Sequence, residues 1–454
     1  MLAEAGYTSA NMADVRRAGG PGPGTRLEVL LDVFEYGRSV AREQMAYALA
    51  PLPVDHALRD GLIKSSADGL RAALHIQLYQ QWWLLCDLPP KQARGPLPRE
   101  YVLGAGGAAA ALASAVIRHD VTTALDLCCG GGVQALHLSG HAREVTCGDL
   151  SPRALRFAAA NALLNGLDWR LVQGSFTESV RGERFDLVVC HPPFVVGPGD
   201  VTYLYRDAGM RSDDLGRFLA GCAPTLLNPD GYMQYVAAWT HVTGTDWRDR
   251  VGKWLENTGL DAWAVQLDVR DAAEYVTVWS NDPGSASDRA WLRWFRDRRV
   301  EAVSVGLVTL RNAGRENPVI RVEDAAGSRL SGSDIAAWSA RQDWLAGRDL
   351  LSCRFRPAEG ARLRSAARYQ DGAWASEGYT LTTASGPART HQASDLVVAM
   401  ISGCDGTVCL RDQLTRMAEQ AGIEPAELQK TAIPAVIELI ERQVLVPAGD
   451  EQHS

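Results

Sequence analysis

The feature that most constrains this chain is a set of four short signals, in fixed order, between Ala124 and Phe194. The first is TALDLCCGGGVQAL, with Asp126, Cys128, Gly130, Gly131 and Gly132. EVTCGDLSPRAL follows, carrying Asp149 and Leu150, then LVQGSF with Ser175 and Phe176, then FDLVVCHPPF with His191, Pro192, Pro193 and Phe194. Ala124–Leu127 is an apolar run stopped by cysteines and glycines, which predicts a buried strand ending in a tight loop. Three consecutive glycines let the backbone turn sharply and let a ligand lie against it. Gln134–Leu138 resumes as a helix. Strand, glycine loop and helix in that order form the ligand crevice of a doubly wound α/β sheet. Asp149 closes the next strand 23 residues after Asp126. An acid at about that distance is the expected partner of ribose hydroxyls.

A dinucleotide-binding unit would place its glycines as GxGxxG, and this loop does not. The fourth signal separates the readings further. Two prolines after the strand Phe185–Cys190 make a stiff loop of fixed direction. Such a loop can hold an acceptor and a carbonyl against a planar NH2 group, with Phe194 as a flat face for stacking. That chemistry suits an amide, an aminoheterocycle or a guanidinium.

The stretch resembles the class I S-adenosylmethionine (SAM) methyltransferases of the small methyltransferase domain group. This group includes release-factor glutamine methyltransferases and methyltransferases of RNA exocyclic amines, and its mark is (Asn/Asp)-Pro-Pro-(Tyr/Phe). The whole chain resembles an actinobacterial branch with an extra N-terminal domain, the lead-in Leu103-Gly104-Ala105-Gly106-Gly107 and a C-terminal helical extension. The resemblance implies a seven-stranded Rossmann-like sheet and SAM as cofactor. It places Asp126 near the methionine end, and Cys128, Gly130, Gly132, Asp149, Leu150, Ser175 and Phe176 along the cofactor. His191, Pro192, Pro193 and Phe194 become the catalytic loop. Three positions depart from the group's pattern: Cys128 stands for the first glycine, Ser175 for an acid, and His191 for Asn or Asp. A histidine accepts a hydrogen bond only when neutral. A His191-dependent loss of rate below its unperturbed pKa of ~6.5 is therefore expected.

Around this core, residues 1–24 read as an N-terminal segment ending in a Gly/Pro linker. Residues 25–98 read as a winged-helix-like domain: helices Arg26–Phe34, Arg38–Ala50 and Val54–Ile63, then a wing of Ala72–Leu78 and Trp82–Cys86. The methyltransferase domain spans 99–312, closing with the strand Val303–Leu310. A mixed strand and turn region, 313–390, precedes a helix-turn-helix-like domain, 391–447, and a tail, 448–454. The N-terminus has no apolar core of a secretory signal, no run reaches the ~18–20 apolar residues of a membrane span, and the nine cysteines lack CxxC pairs. The expectation is a cytoplasmic enzyme with free thiols, no metal and no membrane.

Beyond HPPF, Tyr203, Tyr205, Arg206 and Asp207 are candidate substrate contacts, and His241 is a further polar candidate. Asp207, Asp213 and Asp214 form an acidic cluster that would favour a cationic substrate. The formal charge is −8, which leans away from nucleic acid. These features favour N-methylation of a planar nitrogen on a small molecule, such as a guanidino or amide precursor. Methylation of RNA or of a protein glutamine is the alternative, and a non-catalytic SAM-binding regulator a third. A homodimer is a further expectation for the C-terminal helices.

Overall fold

A computed structural model describes residues 2–8, 12, 24–93, 95–280, 284–383 and 390–449. The linker before Gly24 and the end of the tail lie outside the described residues. The chain divides into two compact units, Met1–Val322 and Glu323–Ser454.

The centre of the first unit is an eight-stranded sheet. Its order is Ile320–Asp324, Asp261–Asp271, Val300–Arg311, Leu227–Val242, Phe185–Cys190, Val121–Leu127, Ala142–Asp149 and Arg170–Gln173. The last five strands are joined by parallel ladders, while Val300–Arg311 runs antiparallel to both neighbours. The expected seven strands are corrected to eight. Ile320–Asp324 falls in the mixed region by sequence, because five residues with three charges (IRVED) carry no apolar run. The sheet is recognisable from sequence because its central strands are buried on both faces. Leu125, Leu127, Val188, Met233, Tyr235, Val308 and Leu310 form one core with the helix Asp214–Leu226.

The helix Ala272–Trp279 was not anticipated. AAEYVTVW is rich in β-branched and aromatic residues and reads as strand. The Asp271 side chain caps it by accepting from Glu274 N at 2.8 Å, and Tyr275 and Val276 are buried against the sheet.

Before the sheet come helical turns at Arg26–Glu35, helices at Arg42–Leu49 and Val54–Arg59, and then two hairpins. The first pairs Ile63–Ser66 with Gly69–Ala72, and the second pairs His75–Tyr79 with Trp82–Cys86. The single wing expected from Ala72–Leu78 and Trp82–Cys86 is thus replaced by two hairpins, with the third helix ending four residues early. Gly61 at φ 76° ends that helix, as a left-handed glycine commonly does. Tyr7 is fully buried and donates to Ile76 O at 2.9 Å, so the first residues belong to this domain's core.

In the second unit, helices Gly332–Leu345, Asp395–Gly403, Leu410–Ala421 and Pro425–Glu441 surround a core that includes Met400, Leu414, Val436 and Leu439. A three-stranded sheet, Arg362–Gln370, Ala373–Thr382 and Thr390–Ala393, completes it. Among the described residues, no helix is long and apolar enough to cross a membrane.

Candidate active site

At the carboxyl ends of the parallel strands lies a cavity of about 340 Å³. One wall is the glycine loop. Cys128, Gly130 and Gly132 have φ of 60°, 53° and 85°. Cys128 therefore holds the left-handed conformation for which glycine is the usual residue, at a cost of about 1 kcal/mol. Gly130 has open space where a Cβ would stand, which leaves room for a ligand against its backbone. Gly132 does not line the cavity. A Cβ there would meet the Trp169 ring at 2.5 Å, so this glycine serves packing. Gly132→Ala is expected to destabilise the fold by about 3 kcal/mol, strain and overpacking together, measured as a lower urea midpoint.

Two carboxylates enter this wall. Asp149 accepts from Gly130 N at 2.9 Å through one oxygen and from Ser151 N at 2.8 Å through the other. Burial raises its pKa, and the backbone donors of Ser151 and Gly130 oppose the rise. Each oxygen keeps a lone pair for a hydroxyl. Asp126 is 1% exposed. One of its oxygens accepts from Ala135 N at 2.9 Å, and among the described residues the other is buried without a partner. Burial pushes its pKa up to about 8, with Asp149 adding to the rise. Gln134, which sequence reading passed over, also lines the cavity. It donates to Ala109 O at 2.9 Å, and its own carbonyl is buried without a partner among the described residues. Both residues line the same cavity, and with Asp126 ionised their two unpartnered oxygens would suit an ammonium group.

The opposite wall is HPPF. His191 and Phe194 are stacked, with centroids 5.8 Å apart and planes at 25°. Among the described residues, neither His191 ring nitrogen has a hydrogen-bond partner. Burial lowers its pKa to about 4. The expected titration near 6.5 is thereby corrected, since removal from water penalises the charged imidazolium.

Trp279 joins this wall from the unanticipated helix, its ring 5.7 Å from Phe194 and edge-on. Only the tertiary fold brings these residues together, and a lone tryptophan on a β-like segment gave no signal. Tyr205 and Arg206 also line the cavity. Asp207 does not. Its carboxylate takes two bonds from Arg206 at 2.8 and 3.1 Å, and accepts from Thr202 N and Tyr203 N. Tyr203 stands behind Tyr205, ring centroids 5.7 Å apart.

The acidic cluster is corrected on the same ground. Asp213 is buried against Arg250 at 2.7 Å and Asp214 pairs with Arg217 at 2.9 Å. Each of the three acids therefore has its own arginine, and together they make no free negative mouth. His241 lies apart, bonded to Ser304 at 2.6 Å and Gln266 at 3.1 Å. Leu150 is 52% exposed beside Asp149. Ser175 precedes a 3₁₀ turn, and Phe176 packs edge-on against Phe218 at 5.4 Å. None of these three lines the cavity.

Fold and crevice together define a doubly wound α/β domain built for a nucleotide-like cofactor with a charged tail. Residues 106–241 match the Methyltransferase small domain family. The cofactor of the domain is SAM. Residues 4–73 match Domain of unknown function (DUF7059), and residues 336–447 match Domain of unknown function (DUF7782).

Among curated proteins, the chain is 33% identical over 113 residues to ribosomal RNA small subunit methyltransferase C of Alcanivorax borkumensis, covering 25% of this chain and 31% of that protein. It is 33% identical over 165 residues to a release factor glutamine methyltransferase of Xylella fastidiosa, covering 34% and 58%. The chain thus spans less than two thirds of either relative. Among solved structures, a 16S rRNA N2 methyltransferase of T. thermophilus in complex with AdoMet and guanosine matches at 14% identity and TM-score 0.30, covering 55% of this chain and 53% of that one.

Proposed function

We propose that this chain is a SAM-dependent N-methyltransferase whose acceptor is a planar, uncharged NH2 group, best matched by the exocyclic amine of a nucleobase in RNA. The observation that carries this reading is the acceptor wall. It offers a neutral His191 beside the rings of Phe194, Trp279 and Tyr205, with Arg206 paired with Asp207 and the Glu100 carboxylate elsewhere in the same lining. Three rings and a neutral acceptor favour an aromatic amine, and a guanidinium paired with Glu100 is an outcome the test below distinguishes. A glutamine amide satisfies the polar part without the stacking. The chain's charge of −8 favours a second reading, an aromatic amine or amide on a small molecule.

Bound SAM supplies an electrophilic methyl group on a sulfonium. Asp149 would hold its ribose hydroxyls, Asp126 and Gln134 its ammonium, and Cys128 and Gly130 the backbone cradle. Leu150, Ser175 and Phe176 are proposed at the adenine end, outside the cavity wall. Methyl transfer is a direct displacement, so alignment is the main task of the protein. The Pro192-Pro193 stiffness fixes His191 and Phe194 relative to each other. Phe194 would stack on the acceptor ring. His191 would accept an N–H, turning the nitrogen lone pair out of the ring's π system, and would take the proton released on transfer.

The test is incubation with methyl-labelled SAM against separate pools of RNA, protein and small metabolites. Label at a base amine of RNA is the expected result. Label confined to protein or metabolites would replace the acceptor, and SAM binding without label in any pool would leave a regulator.

Cofactor binding itself carries a proton signature. At pH 7, Asp126 with a pKa of about 8 is protonated in the free protein. An ammonium against it favours the carboxylate. Close to one proton per site is expected to leave on SAM binding, read from calorimetry in buffers of different ionisation enthalpy. Asp126→Asn should abolish that release.

A further inference from the structure

The second hairpin of the N-terminal domain touches both sides of the cofactor cavity. Its outer edge, the strand Trp82–Cys86, ends the ladder with His75–Tyr79. The far side of that strand is closed by side chains in place of another strand. Asn161 accepts from Leu85 N at 2.7 Å and donates to Leu85 O at 3.0 Å. One turn later, Asn165 accepts from Trp83 N at 3.1 Å and donates to Trp83 O at 2.9 Å. Both asparagines belong to the end of the helix Pro152–Leu164 that starts beside Asp149. Asn161 is fully buried, and its amide also donates to Gly131 O in the glycine loop at 2.9 Å.

The other strand reaches the opposite wall. Gln77 donates to Ala105 O at 3.1 Å and accepts from Ala105 N at 2.9 Å. It thereby grips the Leu103–Gly107 strap as a strand would. A Cβ on Gly104 would collide with the Gln77 side chain, so the glycine of the strap is explained by this approach.

We infer that this hairpin is a positioning element of the cofactor site, with Gln77 and Asn161 as its two contacts. The N-terminal domain then sets the width of the SAM cavity, in addition to any part in reading substrate. Movement of the domain would reach the cofactor through these two amides. The inference rests on SAM being the ligand of the cavity.

The test uses the full chain with Gln77→Ala, Asn161→Ala and Asn165→Ala. Asn165 shares the hairpin seam but touches neither wall. Each variant is measured by calorimetric SAM binding, by thermal unfolding, and by amide hydrogen exchange of residues 103–107 and 128–132 without SAM. Gln77→Ala and Asn161→Ala are expected to weaken SAM about tenfold, the effect of one buried hydrogen bond. Exchange should rise in the strap for the first and in the glycine loop for the second. Asn165→Ala is expected to lower the melting temperature and leave SAM affinity unchanged. Should Asn161→Ala fail to fold, Gln77→Ala, which removes no core packing, decides alone. Unchanged SAM affinity and exchange in Gln77→Ala would overturn the inference, as would an equal SAM loss in Asn165→Ala. If the unaltered protein binds no SAM, the cofactor reading falls and the affinity argument with it, while a rise in exchange would still establish the brace.

Discussion

Asp149→Ala is expected to weaken SAM binding by about 3 kcal/mol, roughly a hundredfold. Two effects add. The carboxylate loses both acceptors for the ribose hydroxyls, and Gly130 N loses the partner that holds the loop at 2.9 Å. Gly130 sits at φ 53°, so this bond also helps keep a backbone conformation that would otherwise relax. Asp149→Asn keeps one oxygen acceptor and should fall between the two. Titration calorimetry checks both, with thermal unfolding to separate loss of binding from loss of fold. Unchanged affinity in Asp149→Ala would remove the cavity as the SAM site.

His191→Ala is expected to lower turnover about a hundredfold with SAM affinity retained, because the proposed function puts the imidazole at the methyl acceptor. The relatives' mark has Asn or Asp here, so His191→Asn, which restores an acceptor, should recover much of the rate. The pH dependence follows from burial. The folded pKa is depressed to about 4, so the ring is neutral above about pH 5. A rate profile flat in the His191 term from pH 5.5 to 8 is expected, with the acceptor lost only toward pH 4. A step near 6.5 that disappears in His191→Asn would show that the ring is solvated in the working enzyme. The same depression acts on stability. The unfolded chain binds the His191 proton below about 6.5 and the folded chain does not, so folding weakens as pH falls from there toward 4.

Much of the cavity lining was legible in the sequence. Asp126, Cys128, Gly130, Asp149 and the HPPF residues are consecutive signals on strand ends, and a parallel sheet brings strand ends together whatever the loops do. Tyr205 and Arg206 reach the same cavity because they follow the HPPF loop closely. Asp207, Asp213 and Asp214 were misread because charge in a sequence shows no partner. Their arginines lie one, 37 and three residues away. The eighth strand and the Ala272–Trp279 helix were missed for a related reason. Local propensity on short segments is outweighed by where the sheet edge and its covering face lie.

The sequence by itself determined the doubly wound core, the glycine-loop crevice and the stiff HPPF loop beside it, because those depend on local periodicity, glycine and proline. Only the tertiary structure decided the directions in which the Asp126 and His191 pKa values shift, since both follow from burial that no local pattern records. It alone placed Trp279 against Phe194. It also joined the N-terminal hairpin to the glycine loop and the strap through Asn161 and Gln77, contacts 76 and 28 residues apart in the chain.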